Sequence, residues 1–382
     1  MHTPTLFDGF FLGGFECSTH RRHDGRRLDL IAATGHDRLA AQDYRRMAAH
    51  GIRTVRDGVR WHRIETTPGR YDWSSLLPMV RAAREAGVGA VWDLCHYGWP
   101  DGIDIWRPAF VERFARFAGA AAALLRDEGV EAPAYCPVNE ISFWAWAGGD
   151  MKRFNPMAER RGFELKHQLV RASIAAIDAI RAADPRARIV QVDPVIHVLP
   201  RPDRKGDAGA AEAARLAQYE AWDMIGGHAW PGLGGKPEYL DVIGVNYYSD
   251  NQWFLKGGTI GRDDPRYRPF ADILAEVHQR YGRPVLVAET GAEGNARASW
   301  LDYVTEETVT ALRAGVPVEG ICLYPILDYP GWTNERHCET GLYGLCGEDG
   351  GRRLHQPLAD ALARGQARIG ALLGQPEFQA AQ

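Results

Sequence analysis

Residues 241–248 read Asp-Val-Ile-Gly-Val-Asn-Tyr-Tyr, a short run that is apolar on both faces and ends in polar side chains. A strand with one solvated face would alternate between apolar and polar residues, whereas a parallel strand covered by helices is apolar throughout. Seven other runs share this character. The eight predicted strands are 10–16, 54–61, 89–96, 134–140, 188–193, 241–248, 284–289 and 320–327.

Each run is followed by apolar residues at helical spacing. The predicted helices are 38–50, 74–86, 108–127, 163–183, 210–225, 269–280, 297–314 and 357–373. Strands and helices that alternate in this way predict either a closed parallel barrel or a large doubly wound sheet.

Loop lengths favour the barrel. The long links mostly follow strands, at 17–37, 62–73, 97–107, 141–162, 249–268 and 328–356, with one exception at 226–240. Long loops at one end of the strands are typical of a (β/α)8 barrel whose active site occupies that end. No internal repeat or low-complexity linker interrupts the pattern. We therefore expect residues 1–382 to form one α/β domain, a single (β/α)8 TIM barrel.

Charge and composition narrow the function classes. The 45 basic and 49 acidic residues give a net charge of −4 without long runs of one sign, which argues against binding to nucleic acid or membranes. The amino terminus lacks the features of a signal peptide, and no apolar stretch is long enough to span a membrane. Six cysteines without a C-x-x-C pair fit reduced thiols. We expect a soluble, cytoplasmic protein.

Two glutamates end different strands. Glu140 lies among apolar and aromatic residues, and Glu289 ends the seventh run. Burying an unpaired carboxylate costs several kcal/mol, so we expect each glutamate to have an interaction partner or a function. Glycosidic bond cleavage uses such a pair: one acid protonates the departing oxygen while the other carboxylate attacks the sugar carbon or activates water. We predict that apolar neighbours favour the protonated form of Glu140 and that Arg56 favours the charged form of Glu289.

Other polar residues end neighbouring strands and would surround the same barrel mouth. They are Arg56, Asp57, His96, Tyr97, Asn139, Asp193, Asn246, Tyr247 and Tyr248. Asn246 and Tyr248 point the same way by the two-residue period of a strand. We predict that the hydroxyl of Tyr248, rather than that of Tyr247, lies near Glu289.

Seven motifs carry a resemblance to a known family. They are FLGGFECSTH at 11–20, VRDGVRW at 55–61, LCHYGWP at 94–100, VNE at 138–140, DVIGVNYY at 241–248, VAETG at 287–291 and YPILDYPGW at 324–332. In this order, on these strand ends, they resemble the clan A glycoside hydrolases, and among them family 1, the β-glucosidase family, most closely.

The resemblance implies a function for each matched residue. Glu140 would be the acid/base and Glu289 the nucleophile of a retaining β-glycosidase, which hydrolyses O-glycosidic bonds by double displacement through a glycosyl-enzyme intermediate. The expected substrate-binding residues are Arg56, His96, Asn139, Asn246, Tyr248 and Trp332. Such an enzyme needs neither a cofactor nor a metal, and its partner is a carbohydrate or glycoside.

The motifs also depart from the family pattern. Gly331 stands where the family has a sugar-gripping glutamate, and Tyr324 replaces the tryptophan of strand eight. The glutamine expected near position 21 is replaced within STHRRHDGRR at 18–27. Pro137 precedes the acid/base motif and is expected to end or bulge the fourth strand. These departures predict a retained hydrolytic pair with a rewritten sugar-binding set.

Several alternatives remain open at this point. The barrel could be a non-catalytic carbohydrate-binding protein, or a transglycosylase that uses the same glutamates. The spacing of His20, His23 and Asp24 allows a metal-dependent hydrolase, although a polar loop over the substrate fits it better. Arginines of that loop could bind an acidic group; they are Arg21, Arg22, Arg26 and Arg27.

Three of the cysteines lie near strand ends. Cys17, Cys95 and Cys136 are expected to be small buried side chains, because no cysteine–histidine pair is evident.

Overall fold

A computed structural model describes residues 3–374 of the chain. Eight parallel strands close into a barrel in which every strand pairs with its neighbours in sequence and the last pairs with the first. The strands are β1 (Phe11–Gly14), β2 (Thr54–Gly58), β3 (Gly89–Asp93), β4 (Ala134–Cys136), β5 (Arg188–Pro194), β6 (Val242–Asn246), β7 (Val285–Thr290) and β8 (Val318–Leu323). The predicted (β/α)8 barrel is confirmed.

Helices surround the barrel. The main ones are His36–Ala49, Leu77–Glu85, Pro108–Asp127, Gly162–Ala183, Ala208–Leu216, Glu220–Ile225, Phe270–Tyr281, Ala296–Arg313 and Gln356–Leu373. Shorter α-helices are Leu30–Ala33, Trp61–Ile64 and Ile141–Trp144, and a π-helical turn spans Ala145–Asp150. Single 3-10 turns are Trp73–Ser75, Lys205–Asp207, Ala217–Tyr219, Pro231–Leu233 and Pro237–Tyr239. The predicted helix 210–225 is therefore two helices joined by a 3-10 turn, where the Gln218 side chain binds the backbone of Ile196.

Small strand pairs lie in the long loops outside the barrel. His197–Leu199 pairs in parallel with Gln252–Phe254. Two antiparallel pairs follow β8: Tyr329–Pro330 with His337–Cys338, and Tyr343–Cys346 with Arg352–Leu354. The long loop 328–356 is thus folded over the barrel and has hydrogen-bonded structure of its own.

Six of the eight barrel strands end earlier than predicted, whereas β5 and β7 each end one residue later. β4 stops at Cys136, as expected from Pro137, which has no N–H for the strand ladder. In the second run, Val59-Arg60-Trp61 leaves the strand, because Trp61 begins a short helix and packs against Phe114 and Phe117. Some of the polar residues therefore lie on turns just beyond the strands, namely His96, Tyr97, Asn139, Glu140, Tyr247 and Tyr248. The others lie on the strands themselves, namely Arg56, Asp57, Asp193, Asn246 and Glu289.

Two apolar layers stabilise the barrel. The inner layer includes Leu12, Val91, Val192 and Leu286, which fill the barrel interior. The outer layer packs the strands against the surrounding helices. A side chain at Gly14 would put its Cβ 2.1 Å from the Tyr324 ring, so glycine there makes room for that ring at the mouth. Within residues 3–374, no helix has the length and apolar character needed to cross a membrane.

Candidate active site

Glu140 lies on a tight turn that is held from both sides. Its backbone N–H donates to Val192 O at 3.1 Å, and the N–H of Asn139 donates to Cys95 O at 3.0 Å. Glu140 has a φ of 47°, a left-handed conformation that is strained for a residue with a side chain. The turn then enters the helix Ile141–Trp144. The hydrogen bonds to the neighbouring strand ends keep Glu140 in this conformation.

The carboxylate of Glu140 has two side-chain partners. The Tyr97 hydroxyl donates to Oε2, and Nδ2 of Asn246 donates to Oε1 at 2.8 Å. Burial raises the pKa of Glu140 and these two hydrogen bonds oppose the rise, while the charge of Asp193 adds to it. The residue is 9% exposed. Glu140 is therefore biased toward its protonated form yet keeps contact with the surface.

Glu289, at the end of β7, is held by a cation and a phenol. Nη1 of Arg56 donates to Oε1 at 2.7 Å, and the Tyr248 hydroxyl donates to Oε2 at 2.9 Å. Burial raises the pKa of Glu289 to about 7; Arg56 lowers it and the charge of Glu140 raises it further. Arg56 thus lowers the pKa of Glu289, as predicted, but burial raises this pKa by more. Glu140 and Glu289 repel one another electrostatically, as two carboxylates in one site do.

Arg56 connects four strand ends through one guanidinium. Besides Glu289, it donates to Asp93 from Nε at 2.9 Å and from Nη2 at 2.6 Å. Nη2 also donates to Oδ1 of Asn139 at 2.6 Å. The bidentate pair with Asp93 compensates the buried charge and fixes the plane of the guanidinium. Arg56 is thereby a rigid support for both the Glu289 carboxylate and the turn before Glu140.

His96 belongs to the same network. Its Nδ1 lies 2.9 Å from Oδ2 of Asp93, and its Nε2 lies 3.0 Å from Nδ2 of Asn139. Burial would lower the pKa of His96, but Asp93, Glu16 and Glu289 raise it on balance. Nδ2 of Asn139 also donates to the Tyr97 hydroxyl at 3.0 Å. Asn139 therefore orients the phenol that contacts Glu140.

The two tyrosines that follow β6 differ in their contacts. The Tyr248 hydroxyl reaches Glu289, whereas the Tyr247 hydroxyl lies 2.6 Å from that of Tyr267 and accepts from Gln252 at 2.8 Å. Tyr247 stacks on Phe270, outside the site. The structure thus brings Tyr248 to the nucleophile candidate and directs Tyr247 toward the helices.

Trp332 contributes to an aromatic wall beside Glu140. Its ring centroid lies 5.5 Å from that of Tyr97 and 4.7 Å from that of His20. Phe143 and Phe154 also pack against Trp332. Nε1 of Trp332 is buried and has no hydrogen-bond partner within residues 3–374. An aromatic face with a free N–H suits the stacking and hydrogen bonding of a sugar ring.

The loop at 20–27 does not assemble the metal site that its histidine spacing allows. His20 is buried, whereas His23 and Asp24 are exposed. Arg21 and Arg27 pair with Asp101, and Arg22 and Arg26 pair with Glu335. The loop arginines are therefore neutralised by acids of this chain, which argues against an acidic ligand at this position.

One cysteine–histidine contact corrects the sequence interpretation. Sγ of Cys17 lies 3.1 Å from Nδ1 of His96, and in the described part of the chain Cys17, Asp93 and His96 form the one group of metal-ligand type. Both oxygens of Asp93 already accept from Arg56, so this donor set is poorly suited to a cation. Burial raises the pKa of the Cys17 thiol well above its usual range. Cys17 is therefore a protonated thiol rather than a nucleophile.

A separate cavity of about 350 Å³ lies among the loops that follow β1, β3 and β4. Its walls include Arg21, Trp99, Trp106 and Asn155, but none of the predicted site residues. Nδ2 of Asn155 donates to Tyr97 O at 2.9 Å. The cavity therefore adjoins the turn of Tyr97 through Asn155.

Sequence reasoning missed two buried acids at the barrel mouth, Asp93 and Glu16, and the contact of Tyr97 with Glu140. Asp93 ends an apolar strand just as Glu289 does, so the same rule would have identified it. Tyr97 was recognised as a strand-end residue, but nothing in the pattern indicated its contact with Glu140. Glu16, which ends the first run, is buried at the same mouth and was not singled out. An isolated acid after an apolar strand is the signal that Asp93 and Glu16 share.

Comparison with known proteins identifies the fold. No protein-family model and no curated protein sequence matches the chain. Among solved structures, the family 1 β-glucosidase from Thermotoga maritima is similar with a TM-score of 0.79 and 18% identity, over 96% of this chain and 98% of that one. The same enzyme in complex with glucoimidazole gives a TM-score of 0.79, also at 18% identity, over 98% and 100% of the two chains. The AHE enzyme from Alicyclobacillus herbarius gives 0.75 at 17% identity, over 96% and 100%. The chain has the barrel fold of these enzymes along nearly its whole length.

Proposed function

We propose that this protein is a retaining β-glycosidase, a divergent member of glycoside hydrolase family 1. One observation carries the proposal. Two buried glutamates, Glu140 after β4 and Glu289 at the end of β7, share one hydrogen-bond network and influence one another electrostatically. They are 9% and 5% exposed. Glycoside hydrolysis requires a pair of carboxyl groups in one sheltered site.

The first step uses both acids. The Glu289 carboxylate attacks the anomeric carbon and forms a glycosyl ester, while the bond to the departing oxygen breaks and that oxygen takes the proton of Glu140. Arg56 and Tyr248 hold Glu289 through one contact on each oxygen, at 2.7 Å and 2.9 Å. Fixing both oxygens orients the attacking carboxylate and reduces the entropy that the step must lose.

The second step reverses the roles. Glu140, now ionised, accepts a proton from water, and the resulting hydroxide attacks the anomeric carbon and releases Glu289. Tyr97 and Asn246 donate to Glu140 and stabilise this ionised form. Arg56, His96, Asn139, Asn246 and Tyr248 surround the two acids and would contact the sugar near its 2-hydroxyl, with Trp332 as the stacking wall.

Location and organisation form a second part of the proposal. All six cysteines are free thiols, which supports the cytoplasmic location expected from the sequence. We further propose that residues 1–382 act as one catalytic domain. Fractionation of the native host with an antibody against the protein tests the location, and recovery mainly outside the cytoplasm would contradict it.

The decisive experiment is chemical rescue on a panel of aryl β-glycosides. Glu289→Ala should lose on the order of a thousandfold or more in kcat, and azide should restore turnover with an α-glycosyl azide as product. Glu140→Ala should be rescued by azide to the β-glycosyl azide instead. Proton NMR of the first sugar released by the wild type should show the β-anomer.

Three outcomes would contradict the proposal. Release of the α-anomer would replace double displacement by inversion, in which water rather than Glu289 attacks. Saturable sugar binding without turnover of any glycoside would identify a carbohydrate-binding barrel. Transfer of the sugar to an added alcohol in preference to water would identify a transglycosylase with the same glutamates.

A further inference from the structure

Glu16 is a third buried carboxylate at the barrel mouth. It follows β1 and is 6% exposed. Its Oε1 accepts from the backbone N–H of Ser18 at 3.0 Å and from the Ser18 hydroxyl. No hydrogen bond to its Oε2 is found in residues 3–374, and this oxygen is not one of the fully buried polar atoms without a partner, so it keeps contact with solvent. A buried carboxylate with one unused oxygen is costly for the fold, so Glu16 requires a reason other than stability.

The segment that carries Glu16 is anchored against the site. Cys17 contacts His96 at 3.1 Å and lies 3.8 Å from the Tyr324 hydroxyl. The N–H of Thr19 donates to His96 O at 3.2 Å. These contacts place the chain on both sides of Glu16 beside His96 and the end of β8. The negative charge of Glu16 accordingly raises the pKa of His96, Tyr248 and Tyr329.

His20, on the same segment as Glu16, and Trp332, which contacts His20, each have a fully buried polar atom without a partner among the described residues. These atoms are Nδ1 of His20 and Nε1 of Trp332, whose rings lie 4.7 Å apart. Burial lowers the pKa of His20 to about 3, so its imidazole is neutral at pH 7. The unmatched set therefore comprises an acceptor on Glu16, a donor on Trp332, and a neutral imidazole that can be either. A ligand with both donors and acceptors, such as a polyhydroxylated ring, matches this set and can take the place of water there.

We propose that Glu16 determines glycone specificity by accepting, through Oε2, a hydrogen bond from a donor on the sugar, either a hydroxyl or an ammonium group. The inference rests on the proposed function, because the sugar is placed with its anomeric carbon at Glu289. Glu16 acts in binding, apart from the proton transfer and bond breaking assigned to Glu140 and Glu289. A donor on the substrate takes the place of solvent at Oε2.

The test combines substitutions of Glu16 with altered substrates. Glu16→Gln and Glu16→Ala are assayed on the best aryl glycoside of the panel and on its 3-, 4- and 6-deoxy analogues and corresponding amino sugars. The matched control is Glu319→Gln, which alters a buried carboxylate at the other end of the barrel, where Thr5 and Leu6 donate to it. Thermal unfolding of each variant shows that the fold is retained, and Glu16→Gln preserves the side-chain volume if Glu16→Ala fails to fold.

We expect Glu16→Ala to lose roughly 10- to 100-fold in kcat/KM on the parent glycoside, mainly through KM, as for a hydrogen bond to a charged group. On the deoxy analogue that lacks the contacted hydroxyl, wild type and variant should have equal kcat/KM. If the donor is an ammonium group, wild type should prefer one amino sugar and Glu16→Gln should lose that preference.

The outcomes separate this proposal from the proposed function. If Glu16→Ala has the kcat/KM of the wild type on every substrate, the role of Glu16 is wrong while the proposed function stands. The same conclusion follows if Glu16→Ala lowers kcat/KM equally on all deoxy analogues. If the wild type turns over no glycoside, the proposed function fails, and calorimetry with methyl β-glycosides and their deoxy analogues tests Glu16 by binding. If wild type and Glu16→Ala then bind all of these glycosides with equal affinity, the role of Glu16 in binding is rejected.

Discussion

Asn246 lies in register with Glu289 on the neighbouring strand, yet its side chain binds the other acid, Glu140. Nδ2 donates to Oε1 of Glu140 at 2.8 Å, while Oδ1 is buried without a partner in the described residues. The end of β6 thus sets the position of Glu140 relative to Glu289. It also leaves Oδ1 of Asn246 as an unused acceptor next to Glu140.

Replacing Asn246 with alanine should impair Glu140 in its proposed role as acid/base. The amide hydrogen bond lowers the pKa of Glu140, so its loss raises that pKa. A general acid works while protonated, so the alkaline limb of the kcat/KM profile should move to higher pH. We expect kcat to fall roughly 10- to 100-fold, the scale of a hydrogen bond to a charged group. A pH–rate profile with an unmoved alkaline limb would contradict the assignment.

Tyr248→Phe and Tyr247→Phe form a matched pair at adjacent positions. Burial raises the pKa of Glu289 to about 7, and the Tyr248 hydroxyl opposes that rise. The nucleophile must be ionised, so the acidic limb of kcat/KM should lie near pH 7 in the wild type. Tyr248→Phe should shift this limb to higher pH and lower kcat about tenfold or more. Tyr247→Phe should leave both unchanged, and equal profiles for the two variants would rule out the proposed role of Tyr248.

The sequence predicted the barrel well because its strands are buried on both faces and its helices are amphipathic. The helix Pro108–Asp127 has the bounds predicted from its periodicity. Strand ends were less predictable: apolar residues after a strand, such as Val59 and Trp61, pack just as well on a turn or short helix. Hydrophobicity indicates burial, but it does not distinguish the last strand residue from the first residue of a buried turn.

The site was predictable only where strand geometry determines it. The contacts of Arg56 and Tyr248 with Glu289 follow from regular strands that converge on one mouth. The contact of Tyr97 with Glu140 does not, because both residues have left-handed backbone conformations, with φ of 66° and 47°. Such turns depend on tertiary hydrogen bonds, which a local sequence pattern does not reveal.

A buried charge cluster behind β2 supports the site from outside. Nδ1 of His36 lies 2.9 Å from Asp43, and its Nε2 lies 2.8 Å from Asp57, the residue after Arg56. Arg352 pairs with Asp43, and the Tyr44 hydroxyl donates to Asp57 at 2.6 Å. Burial alone would lower the pKa of His36, but the two aspartates raise it to about 9.

The stability of the protein should therefore fall in mildly alkaline solution. The folded-state pKa of His36 is higher than the ordinary value of about 6.5, so its stabilisation is complete below about pH 6.5 and is lost as pH rises through about 9. The loss amounts to at most roughly 3 kcal/mol in the free energy of unfolding. Urea denaturation at about pH 6, 8 and 10 measures it.

The variants His36→Gln and His50→Gln separate this effect from general alkaline unfolding. His36→Gln should be less stable than wild type at about pH 6, and the difference should shrink toward pH 10. His50 is half-buried, with burial lowering its pKa, and its Nε2 lies 2.8 Å from the Tyr343 hydroxyl. His50→Gln should therefore keep the alkaline loss of the wild type. The same pH dependence in wild type and His36→Gln would show that the imidazole is not its source.

Asp193, on β5, supports Glu140, the proposed acid/base, through the backbone after it, whereas Asn246 binds its carboxylate. Both carboxylate oxygens of Asp193 lie 3.1 Å from the backbone nitrogen of Ser142, two residues after Glu140. The contact fixes the start of the helix Ile141–Trp144 and hence the strained turn at Glu140. Burial raises the pKa of Asp193 to about 7, and its charge raises the pKa of Glu140.

Asp193→Asn should shift the alkaline limb of the kcat/KM profile to lower pH, whereas Asn246→Ala shifts it to higher pH. Removal of the negative charge lowers the pKa of Glu140, so the general acid loses its proton at lower pH and activity declines earlier. We expect kcat to fall about tenfold from the looser turn as well. In the double variant the two shifts should partly cancel, whereas the losses in kcat should accumulate. A purely structural role for Asp193 would lower kcat without moving the limb, so the pH–rate profile decides between the two.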